Sequence, residues 1–124
     1  MTETRSFEHA PASAGAARRF AAELLATSAE PDTLETVQLM VSELATNCIR
    51  HTDSGFDLTI VRDSGRIRVE ATDRGGGKPR KRSPKPTDAT GRGLQIVDML
   101  STDWGYHHSP GGGKTVWFTL DRRH

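Results

Sequence analysis

The stretch FDLTIVRDSGRIRVEATD, Phe56 to Asp73, decides the fold. Its apolar residues Phe56, Leu58 and Ile60, then Ile67, Val69 and Ala71, alternate with polar ones on either side of Asp63-Ser64-Gly65. A two-residue period interrupted by a turn predicts an antiparallel hairpin.

Working back from the hairpin, Asp53-Ser54-Gly55 marks a break, and before it the period lengthens. Val37, Val41, Leu44 and Cys48 recur at steps of four, three and four, which predicts a helix ending near Thr52. Asp32-Thr33-Leu34-Glu35, after Pro31, has the form of a capping box in which the Asp oxygen accepts an early backbone N–H. An earlier helix is predicted over Ala14 to Ala26, with Ala17, Phe20, Leu24 and Leu25 on one stripe and Arg18, Arg19 and Glu23 largely off it.

Working forward, residues 74 to 91 are rich in Gly, Pro, Lys and Arg and carry no apolar periodicity, as expected of a flexible lid. Leu94, Ile96, Val97 and Leu100 then mark a third helix. Two strands follow, near Trp104 to His107 and Lys114 to Leu120, joined through Pro110-Gly111-Gly112-Gly113. The expected fold class is α+β: a two-layer sandwich with helices on one face of a mixed, mostly antiparallel sheet.

A chain of 124 residues with 34% hydrophobic content fits one domain, residues 1 to 124, with one layered core. It holds no apolar run of the length needed to cross a bilayer, and MTETRSFEHA lacks the charged-then-apolar order of a secretory signal, so a cytoplasmic location is expected. The single cysteine, Cys48, excludes an intramolecular disulfide and a cysteine-cluster zinc site. Charge is unevenly spread. Arg74 to Arg92 holds seven basic residues and one acid, Asp88, while the rest of the chain has ten basic against fifteen acidic residues. A basic loop on an acidic body can gather phosphate or an acidic partner.

Four clusters could carry chemistry. Glu43, Asn47 and His51 follow one another at steps of four beside the apolar stripe of the second helix, offering a carboxylate base next to an amide oxygen suited to Mg²⁺. Asp73 closes the hairpin and opens Arg74-Gly75-Gly76-Gly77, where a carboxylate can accept from the amino group of a base and glycines let backbone approach a ring. Gly91-Arg92-Gly93-Leu94 opens the third helix, whose free N–H groups can receive phosphate. The fourth cluster is Gly113-Lys114-Thr115. It is not a Walker loop: His108 stands where the first glycine belongs, and strand rather than helix follows. Arg80 likewise breaks a dinucleotide fingerprint begun by Gly75 and Gly77. Neighbouring His107 and His108 point to opposite faces of a strand and cannot share a metal.

In this order the clusters resemble the GHKL ATPase superfamily, and within it the small bacterial anti-sigma-factor serine kinases and their histidine-kinase-like regulatory relatives, over about Ala14 to Leu120. The matching motifs are Val41 to Asn47 with Ile49-Arg50-His51, Asp73 to Gly77, Gly91 to Val97, Trp104-Gly105 and Lys114 to Trp117. The resemblance implies ATP and Mg²⁺ as cofactors, with Asn47 coordinating the metal. It implies Asp73 on the adenine amino group, Thr115 supporting the base through solvent, and Glu43 as general base. Gly75, Gly77, Lys78, Gly91, Arg92, Gly93 and Leu94 would frame the lid and phosphate site, with His51 beside them.

For function the resemblance implies a kinase that phosphorylates a serine of an anti-anti-sigma (STAS-type) partner and sequesters a sigma factor. The alternative is a non-catalytic switch in which ATP orders the lid and changes partner affinity. A homodimer accords with such relatives. Membrane is not an expected partner, and nucleic acid is disfavoured because the basic loop lacks aromatic stacking residues. Cys48 stands where a small alanine is frequent in these relatives.

Overall fold

A computed structural model describes residues 1–74, 92–110 and 113–121, with backbone only at 92 and 93. In chain order the elements are β1 (Thr2–Phe7), α1 (Ala12–Leu25), α2 (Pro31–His51), β2 (Phe56–Arg62), β3 (Arg66–Asp73), α3 (Arg92–Leu100), β4 (Asp103–His108) and β5 (Lys114–Asp121). The strands form one sheet in the order β1-β2-β3-β5-β4, and each described pairing is antiparallel. This is the expected α+β fold, antiparallel throughout its described strands rather than mostly so.

The hairpin sets the sheet's two faces. Phe56, Leu58 and Ile60 of β2 are buried with Ile67, Val69 and Ala71 of β3, and register opposes Val69 to Phe118 and Ala71 to Val116 on β5. Directly opposed residues share a face, so these side chains form one apolar surface. Onto it pack Ala17, Phe20, Ala21 and Leu25 of α1, Val37, Met40, Val41, Leu44 and Cys48 of α2, and Leu94 and Val97 of α3. Removing a large buried side chain such as Phe118 should cost about 3–5 kcal/mol.

Two local readings are corrected. Helix α2 starts at Pro31, and Glu30 is its N-cap, extended at ψ 155° and without a side-chain capping bond. The capping box at Asp32 does not form. Proline has no N–H to satisfy and its fixed φ suits the first helical position, while the residue before it is pushed toward extended backbone. Asp32 instead lies in the first turn, where its charge favours the helix dipole. The second correction is β1, an edge strand that the apolar pattern does not announce. Its residues are exposed except Phe7, which stacks on Phe56 at 5.4 Å between ring centres. Polar pairs hold the rest: the Thr4 and Thr59 hydroxyls share a 2.9 Å hydrogen bond, and Ser6 Oγ donates to Asp57 Oδ1 at 2.7 Å.

Candidate functional site

The end of β3 and the start of β5 meet beneath the C-terminal half of α2. Asp73, the last residue of β3, is only 4% exposed, and its Oδ1 accepts the backbone N–H of Lys114 at 3.2 Å. Gly113 lies so close that a Cβ there would stand 2.6 Å from the Asp73 carbonyl oxygen. Ser109 N–H donates to Gly113 O at 2.7 Å, which ties the end of β4 to the same point.

From Lys114 the side chain runs to α2. Its Nζ donates to Asn47 Oδ1 at 3.4 Å, and Asn47 is 2% exposed with its Nδ2 buried and without a hydrogen-bond partner among the described residues. Asn47 on the helix and Asp73 on the sheet are therefore joined through Lys114. Cys48 is buried beside it. Desolvation, and next the Asp73 charge, push its thiol up to about 12 against the smaller opposing effect of Lys114. Burial pulls the Lys114 ammonium below the usual lysine range, while Cys48 and Asp73 act in the opposite direction.

Glu43 and His51 lie one turn to either side of Asn47 on α2, both half-buried. The neighbouring Ser42 faces α1, its hydroxyl accepting from Arg18 Nη1 at 3.1 Å.

Thr115 and Lys114 lie on opposite faces of β5. Side chains alternate along a strand, so Lys114 shares the helix-covered face with buried Val116 and Phe118, and Thr115 points to the other. There it opposes Thr72, and their hydroxyls share a 2.8 Å hydrogen bond. The β5 side chain that faces Asn47 is Lys114. The alternation of Val116 and Phe118, continued back along β5, puts Lys114 on that face. Leu94 is buried in the core with Val97, near the start of α3. Arg92 and Gly93 open α3, whereas Gly75, Gly77, Lys78 and Gly91 lie outside the described residues.

The family model of the histidine kinase-like ATPase domain matches residues 7–120, spanning every element of the site. The chain belongs to this family. No curated protein matches it significantly. The family is one of ATP-binding domains. The described residues bring together the carboxylate of Asp73, the buried and side-chain-free Gly113 beside it, and the hard amide oxygen of Asn47, whose buried Nδ2 has no partner among the described residues. One amide oxygen does not hold Mg²⁺ alone; the ion normally keeps waters and binds ligand phosphates together with one or two protein oxygens. None of the described helices is long and apolar enough to cross a membrane.

Proposed function

We propose that the chain is a Mg-ATP-dependent serine kinase that phosphorylates an anti-anti-sigma (STAS-type) protein and separately holds a sigma factor inactive. The observation that supports it is the joining of Asn47 and Asp73 through Lys114. In this reading Asp73 receives the adenine amino group and Asn47 offers its Oδ1 to the metal, which supplies charge neutralisation at the phosphates. Glu43, one turn earlier on α2, takes the proton of the acceptor serine hydroxyl. The serine oxygen forms its bond to the γ-phosphorus as the bond to the leaving ADP oxygen breaks. Most of the acceleration comes from positioning and from charge placed in advance.

The partner assignment rests on the resemblance of the Val41 to Asn47, Asp73 to Gly77 and Gly91 to Val97 motifs to those of anti-sigma kinases. Incubation with γ-labelled ATP and a panel of STAS-type proteins tests it. The expected product is phosphoserine on one of them. ATP binding without transfer to any of them would favour the non-catalytic switch.

A further inference from the structure

Lys114 presents a charge that no ion pair among the described residues neutralises. Its hydrogen-bond acceptor is the neutral oxygen of Asn47, at a long 3.4 Å, and the three ion pairs among the described residues, Arg66–Asp121, Arg68–Glu70 and Arg74–Asp57, leave it out. Asp73 is near, yet its Oδ1 accepts from the Lys114 backbone N–H. A partly desolvated ammonium is costly unless an anion meets it. The side chain also has a direction. It starts at the carboxylate assigned to adenine and ends at the amide assigned to metal and phosphates, so the charge stands at the phosphate end of the site. Its flexible four-carbon stem lets the head turn a few ångströms without moving the strand.

We propose that Lys114 is a phosphate-binding residue of this site, its ammonium passing from Asn47 Oδ1 to a phosphate oxygen of the entering nucleotide, so that ATP is held in part without a metal. This rests on the ATP reading above. The Asn47 oxygen released by the lysine is then available to the metal, so the lysine and Mg²⁺ share the work of neutralising the polyphosphate. An uncharged side chain at 114 should make binding depend more strongly on Mg²⁺.

The test is calorimetric titration of the full chain with ATP and with adenosine, each in excess EDTA and in Mg²⁺, for the parent, K114M and K114R. In EDTA, K114M should lose about tenfold or more in ATP affinity, the equivalent of one charge-assisted hydrogen bond, while adenosine affinity changes by less than about twofold. Addition of Mg²⁺ should recover much of the ATP loss, and K114R should bind nearly as the parent does. Equal losses for ATP and adenosine, or none for either, would overturn the proposal and make Lys114 a strut between β5 and α2. Should K114M fail to fold, K114T, with a strand-favouring β-branched side chain, gives the same comparison. A parent that binds ATP beside a variant that binds it equally well overturns the lysine assignment alone; a parent that binds no ATP in either condition overturns the nucleotide reading as well.

Discussion

The carboxylate of Asp73 accepts the backbone N–H of Lys114 at 3.2 Å, so one buried side chain both closes the β3–β5 ladder and carries the proposed adenine contact. These two duties separate by substitution. Asp73→Asn keeps an acceptor for the Lys114 N–H but replaces a charged acceptor by an amide, and adenosine affinity should fall by about tenfold or more with little change in melting temperature. Asp73→Ala removes both, leaving a buried N–H unsatisfied at a cost of about 1–3 kcal/mol. Paired denaturation and binding curves read the two effects; parent-like adenosine binding by Asp73→Asn would contradict the adenine assignment.

Gly113 makes the same junction sensitive to volume. A Cβ would meet the backbone carbonyl of Asp73 at 2.6 Å, and backbone yields less readily than a side-chain tip. Gly113→Ala should therefore spread the strand ends and destabilise by about 1–3 kcal/mol, seen as a lower urea midpoint. An unchanged midpoint would mean that the strands separate freely there.

The hairpin was legible because burial on one face writes a two-residue period into Phe56 to Ala71, and α2 because Val37, Val41, Leu44 and Cys48 write a longer one. Strand β1 was not, since an edge strand held by Thr4–Thr59 and Ser6–Asp57 needs no apolar alternation. The joining of Asn47 to Asp73 depends on the strand order, with β5 inserted between β3 and β4, which no local pattern states. Motif resemblance marked those two residues, while only the register showed Lys114 on their face and Thr115 on the reverse.

Cys48 gives a pH signature of the folded state. Its thiol, pushed from an ordinary 9.0 up to about 12 by burial, keeps its proton in the fold at pH values where the unfolded chain loses it. A folded pKa above the unfolded one contributes stability that is complete below about pH 9 and declines as pH rises toward 12. Within that window the parent should lose up to about 1.4 kcal/mol per pH unit relative to Cys48→Ala. Denaturation at several alkaline pH values measures this difference in slope, which is insensitive to the constant cost of the missing sulfur. Parallel slopes would show that the thiol titrates alike in both states.

Glu43 carries the catalytic half of the proposed function, and its position on α2 allows a clean separation from binding. The helix is anchored by the apolar stripe from Val37 to Cys48, whereas Glu43 is half-buried and outside the hydrophobic core. Glu43→Gln keeps the size and removes the base. Phosphoserine formation on the partner should fall by about 10²–10⁴-fold, as for loss of a positioned general base, while ATP affinity and melting temperature stay near parent values. Single-turnover transfer from γ-labelled ATP reads the chemical step apart from product release. Transfer at the parent rate would remove Glu43 as the base and require another acceptor for the serine proton; a matching fall in ATP affinity would show instead that the carboxylate helps to bind the nucleotide.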